Sequence, residues 1–184
     1  MRIRTEQLAG GELTLKFEKR PDTFPLLAEM VTSGTCEFPA PIKAALRAQQ
    51  IGDIVEIEGN ILTAARLECG RCLQSFEMPL ESQFALTYSQ VDPALEQSAS
   101  NDEEIELTAE DMGLIHYQGE EINLEREIQE QVILALPLKA LCKPDCKGLC
   151  PRCGADLNTA ACDCDRSPSG GKFEALKNLK LVKN

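Results

Sequence analysis

Eight of the nine cysteines in this chain of 184 residues come in four close pairs, and no other feature constrains the fold as strongly. Two pairs form knuckle-like units, Cys69-Gly70-Arg71-Cys72 and Cys150-Pro151-Arg152-Cys153-Gly154. In such a unit the backbone turns so that both sulfurs face one ion. Amides after the first cysteine donate to the thiolates, and a glycine such as Gly154 takes the positive φ that the turn requires. The other pairs are Cys142-Lys143-Pro144-Asp145-Cys146, across a proline turn, and Cys162-Asp163-Cys164. From Leu141 to Asp165, cysteine, glycine and proline replace any hydrophobic period. That segment has too little apolar surface to offset the ordering of its own backbone, so it needs another tie.

A disulfide framework is the alternative tie, and the sequence argues against it. The cysteine count is odd, the pairs are clustered, and Met1-Arg2-Ile3-Arg4-Thr5-Glu6 alternates charge with apolar residues where a secretory signal would be apolar. Reduced thiols serving a metal in the cytoplasm are the expectation. No apolar run approaches the roughly 20 residues of a membrane span, so no membrane partner is expected.

Spacing favours one partition of the sulfurs. Only eight residues separate Cys153 from Cys162, so Cys150, Cys153, Cys162 and Cys164 close a four-sulfur site at small entropic cost. Cys69, Cys72, Cys142 and Cys146 then form a second site that staples the tail to the body. Two other partitions stay open: Cys142, Cys146, Cys150 and Cys153 together, or the two knuckles paired directly. Cys36 is left over in every two-site scheme and reads as a buried structural thiol. Zinc, as one or two structural ions, is the expected metal, although iron-sulfur clusters use the same ligands. With sulfur in every position, none is left for water or a small-molecule substrate.

Other routes to catalysis are poorly represented. A redox reading of Cys69 and Cys72 calls for a helix opening at the motif, whereas Leu67, Leu73 and Phe76 read as strand neighbours. His116 is the only histidine, and no nucleophilic triad assembles around it. The acid pairs Glu103-Glu104 and Glu120-Glu121 fall in polar stretches where solvated carboxylates keep ordinary pKa values. A non-enzyme is the expectation.

The remaining chain has an ordinary globular composition, 43% hydrophobic and 27% charged. Two short alternating runs, Ile3 to Leu8 and Leu13 to Phe17, flank Gly10-Gly11 and read as strands around a turn. Between Thr35 and Tyr88 the alternation is stronger, in Ile54 to Leu62, Ala65 to Leu73 and Phe76 to Tyr88, with Gly59-Asn60 and Gly70 as bends. After an acidic, solvated loop at 89–111, a short strand is expected near Leu114 to Tyr117. A helix from Leu124 to about Leu136 follows, capped by Asn123, with an apolar stripe at 124, 128, 132 and 135 and a stop at Pro137. The fold class is therefore α+β: a curved antiparallel β-meander with one packed helix, and a C-terminal cysteine-rich zinc module. The expected division is a strand-rich body at 1–140 and, at 141–184, the metal module with a short basic helix near 173–180.

Charge bears on partners. Residues 1–20 carry +2, residues 21–138 carry -17 and residues 139–184 carry +4, for a net of -11. An acidic body repels phosphate backbones, so any RNA contact falls to the ends, with Lys172, Lys177, Lys180 and Lys183 as candidate contacts. Four thiolates around a zinc ion sum to -2, which makes even that tail less positive than its lysines suggest.

Three blocks together resemble the YceD family, the large ribosomal RNA subunit accumulation proteins. They are Glu68-Cys69-Gly70-Arg71-Cys72-Leu73 after a run of strands, Leu134-Ala135-Leu136-Pro137-Leu138 closing a helix, and Leu141 through Asn158, which includes Cys150-Pro151-Arg152-Cys153-Gly154-Ala155-Asp156-Leu157-Asn158. The resemblance implies a bacterial or plastid-type factor for accumulation or processing of large-subunit (23S) ribosomal RNA in ribosome biogenesis. Its partner would be that RNA or a ribosome-assembly protein. The ending departs from the family pattern: Arg166-Ser167-Pro168-Ser169-Gly170-Gly171-Lys172 stands where Asp-Pro-Arg often leads into the last helix. Two further readings stand beside this one: a zinc-stabilised protein-protein adapter without RNA contact, and a thiol oxidoreductase.

Overall fold

A computed structural model describes residues 1–90 and 113–164 of the chain. The described elements are β1 (Arg2–Arg4), a 3-10 turn (Thr5–Leu8), β2 (Leu13–Lys19), a second 3-10 turn (Pro21–Thr23), α1 (Pro25–Thr32), β3 (Ile42–Ile51), β4 (Ile54–Glu68), β5 (Ser75–Gln90), β6 (Leu114–Tyr117), β7 (Glu121–Asn123) and α2 (Glu125–Leu134). The fold is α+β.

The main sheet has the order β2-β3-β4-β5-β6, and β1 pairs with β7 in a separate ribbon. Strands β2 to β5 are an antiparallel meander, whereas β6 joins β5 in parallel, Thr87 facing Leu114. The sheet is thus mixed at one edge. A parallel neighbour needs a long connection, which the chain between β5 and β6 provides. Of the acidic loop expected at 89–111, Ser89 and Gln90 instead end β5 and the rest lies outside the described residues, as does the whole of the basic helix expected near 173–180.

Alternation places the core. In β3, Ile42, Ala44, Leu46 and Ala48 are buried while Lys43, Ala45 and Arg47 point outward. Leu27 of α1 and Ile128 and Val132 of α2 join them in one cluster. The stripe read at 124, 128, 132 and 135 faces this core: Leu124, Ile128 and Val132 are each 1% exposed, and Ala135 packs at the edge. Asn123 Oδ1 accepts the Glu125 amide at 3.1 Å and so helps to start the helix. The buried Gln129 side chain of α2 accepts the Leu26 amide of α1 at 3.1 Å, satisfying one of the donors left free in the first turn of that helix.

Several sequence expectations give way here. The N-terminal runs do not form a hairpin: Thr5–Leu8 is a 3-10 turn, β1 pairs with β7 and β2 pairs with β3. Burying Ile3 against Ile122 decides that pairing, since both side chains are fully buried and each such burial contributes about 2 kcal/mol. The single helix becomes two, because Pro25 at the first position of α1 presets its φ for a helix turn. Gly59-Asn60 is no bend. Gly59 sits inside the unbroken β4, opposite Phe84, and a side chain there would overlap the Phe84 ring and the Leu46 methyl.

Candidate metal centre

Strand β4 ends at Glu68, and the chain turns through Cys69-Gly70-Arg71-Cys72 into β5, so no helix opens at this motif. The turn is closed by the Leu73 amide donating to the Cys69 carbonyl and the Cys69 amide donating to the Gln74 carbonyl, both at 2.9 Å. The second knuckle repeats the pattern: Gly154 donates to Cys150 at 2.9 Å and Cys150 to Ala155 at 2.8 Å. Equal spacing has produced equal local structure.

The tail after α2 docks on the first knuckle. Gly70 donates to the Ala140 carbonyl at 2.9 Å, Leu149 donates to the Arg71 carbonyl at 3.0 Å, and the Arg71 guanidinium holds the Cys146 carbonyl at 2.7 Å. Gly148, at φ +75°, lies so close that a Cβ would stand 2.9 Å from the Arg71 carbonyl oxygen. Only glycine suits that place, for its φ and for its size.

The described sulfurs converge in two groups, Cys69, Cys72, Cys142 and Cys146 in one and Cys150, Cys153, Cys162 and Cys164 in the other, with the ligand atoms of each group within 4.8 Å of one another. In the first, Cys69 Sγ lies 3.7 Å from Cys146 Sγ and Cys72 Sγ 3.6 Å from Cys142 Sγ. Cys69, Cys72 and Cys146 are buried and pack with Phe76, Leu141 and Leu149 in a small core of their own. This inner cluster joins residues 70 and 77 positions apart. The outer cluster is more open, with Cys150 buried, Cys153 exposed, and Cys162 and Cys164 half-buried. Neither of the other two partitions brings its sulfurs together. Cys36 stays apart in the main core, where burial pushes its thiol pKa up.

Each cluster holds its protons unevenly. The backbone amides of Cys142 and Cys72 draw the Cys69 pKa down to about 6, against burial, and the amides of Cys153 and Arg152 do the same for Cys150, also to about 6. Burial and the neighbouring cysteines push Cys142 up to about 12, and Cys153 beside it pushes Cys164 up to about 12. Four crowded sulfurs therefore cannot all ionise unless a cation compensates them. The donor set fits one: all-sulfur, four per group, with amides already aimed at two of the sulfurs. Zinc or another thiophilic metal would be held by these residues as a structural tie.

Lys172, Lys177, Lys180 and Lys183 lie outside the described residues. His116 is exposed on β6. Glu121, expected to be solvated with an ordinary pKa, instead pairs with Arg2 at 3.1 Å and Arg4 at 3.2 Å, and the two arginines hold its carboxyl below the usual range. No described helix is long and apolar enough to cross a membrane. Sequence reading missed Arg71 as the clamp on Cys146 and gave Asn158 no role. Arg71 carried a visible signal in its place inside the knuckle.

Residues 57–180 match the family described as large ribosomal RNA subunit accumulation protein YceD. An Arabidopsis thaliana chloroplastic large ribosomal RNA subunit accumulation protein, a YCED homolog, is 26% identical over 95% of the chain and 60% of its own length. Its Zea mays counterpart is 26% identical over 86% of the chain and 61% of its own length. An uncharacterised protein of Mycobacterium leprae is 30% identical over 66% of the chain and 51% of its own length. The chain thus spans between half and about three fifths of these relatives. No solved structure matches it.

Proposed function

Since the chain belongs to the YceD family of large ribosomal RNA subunit accumulation proteins, we propose that it supports accumulation of large-subunit (23S) ribosomal RNA as a non-catalytic binding factor. Structural zinc ions in the two cysteine clusters hold its binding surface in shape. The observation that carries this reading is the convergence of Cys69 and Cys72, at the end of β4, with Cys142 and Cys146 after α2. A set made only of sulfur offers no open position for chemistry, and it ties a tail without a hydrophobic period to a body with a full core. The division into a body at 1–140 and a metal module at 141–184 belongs to this proposal. The place of action is where large subunits assemble, the bacterial cytoplasm or the plastid compartment named for the two plant relatives.

Two measurements test the reading. Elemental analysis of protein prepared with reduced thiols and without chelator should find one to two zinc ions per chain; less than half an equivalent would overturn the metal assignment. Binding to large-subunit RNA fragments should be salt-sensitive. Lys172, Lys177, Lys180 and Lys183 changed together to glutamine should flatten the salt dependence by about one unit of slope per lost phosphate contact. The charge of -17 over residues 21–138 favours a second reading, an adapter that reaches the ribosome through a basic protein. An unchanged salt slope in the lysine variant, with a protein partner recovered by crosslinking in cells, would select it.

A further inference from the structure

The loop that closes the outer cluster also holds a ligand of the inner one. Asn158 lies between Cys153 and Cys162, and its Nδ2 donates to Cys146 Sγ at 3.4 Å and to Asp156 Oδ1 at 2.7 Å. Its Oδ1 accepts the Lys147 amide at 2.9 Å, so the orientation of the carboxamide is settled: the oxygen is committed to a backbone donor and the nitrogen faces the sulfur. Asp156 Oδ2 accepts from Gln74 Nε2 at 3.0 Å, two residues past Cys72. The Leu157 amide donates to the Gly148 carbonyl at 2.9 Å, and Leu149 bridges to Asp156. These bonds run from one ligand loop into both halves of the other cluster.

We propose that Asn158 is a positioning residue that couples the two clusters, so that a metal in either one tightens the hold on a metal in the other. The proposal rests on the reading of both clusters as metal sites. A metal in the outer cluster pins the ends of the 154–161 loop at Cys153 and Cys162. The pinned loop then presents the carboxamide that orients Cys146 and spreads the charge of its thiolate. Loss of such a hydrogen bond to a ligand typically weakens metal affinity by about 10- to 100-fold. Coupling of this kind is reciprocal, so an ordered Cys146 in turn stabilises the loop and the outer site.

The test follows zinc release from the fully loaded chain into excess chromophoric chelator. Cys162→Ser with Cys164→Ser empties the outer cluster and assigns the inner phase, and it should speed that phase by about 10- to 100-fold. Asn158→Ala, with the outer cluster intact, should speed the inner phase to a similar degree, and Asn158→Asp at least as much, because its carboxylate faces a thiolate. Combining Asn158→Ala with the two serine changes should add nothing further, since both remove the same link. Unchanged inner release in Asn158→Ala, or effects that multiply in the combination, would overturn the coupling. In loaded Asn158→Ala the Leu149 and Leu157 amides should remain protected from exchange; their loss would make Asn158 a scaffold residue and also overturn it. A wild-type chain that takes up no zinc would defeat the metal reading itself, whereas two equivalents with unaltered release would defeat only the coupling.

Discussion

Leu73 and Gly154 occupy the same place in their two knuckles. Each follows the second cysteine of its motif, each donates its amide to the carbonyl of the first cysteine at 2.9 Å, and each has a positive φ, 60° for Leu73 and 72° for Gly154. Leu73 is the only described residue other than glycine in that region of backbone space. Holding a side chain there costs about 1–2 kcal/mol, and the knuckle around Cys69 sustains it.

That cost should depend on the shape of the side chain. Leu73→Gly should fold and retain metal, while Leu73→Val, branched at Cβ, should be less stable than Leu73→Gly by about 1–2 kcal/mol. Denaturant unfolding of the loaded proteins measures the difference. Equal stability of the two variants would mean that the knuckle does not enforce this φ.

Gly59 makes a similar demand for a different reason. Its backbone is ordinary strand, but Phe84 and Leu46 fill the volume beyond its Cα. Gly59→Ala should destabilise the body by about 1–3 kcal/mol through overpacking. The companion change Phe84→Leu should recover part of that loss if the ring is the obstacle, a comparison that thermal unfolding can make.

The body has its own core and the inner cluster a small one, while neither includes a described residue from Cys150 onward. Cys150→Ser with Cys153→Ser should therefore remove amide protection from the 150–164 segment and leave β3, β4, α2 and the stretch around Cys142 and Cys146 protected. Hydrogen exchange resolved by residue reads this directly. Loss of protection in β4 as well would make the tail part of the body's cooperative unit.

Acid should loosen the β1–β7 ribbon before the main sheet. Arg2 and Arg4 lower the Glu121 pKa in the folded state, so the stabilisation is present above the unfolded pKa, near 4.3, and is lost as pH falls through the lower folded value. A titration followed by NMR should place the Glu121 midpoint below the ordinary range. In Glu121→Gln the exchange of the Ile3 and Ile122 amides should no longer respond to acid in that window. Retention of the response would assign it to another carboxylate.

The residues that local spacing governs were legible in the sequence. Cysteines two to four positions apart, the glycine after Cys153, the strand from Leu114 to Tyr117 and the stripe of α2 each depend on geometry within one turn or one strand, and the chain encodes that geometry directly. The α+β class followed from these periods, and so did the four cysteine pairs. Tertiary structure decided which pairs meet. Cys69 and Cys146 come together because the segment after α2 lies against the β4–β5 turn, held by Arg71 and by the absence of a side chain at Gly148. The pairing of β1 with β7, the parallel placement of β6 and the Phe84 ring over Gly59 were decided in the same way. Each depends on burial between segments far apart in the chain, and hydrophobic attraction has no direction that a local pattern could record.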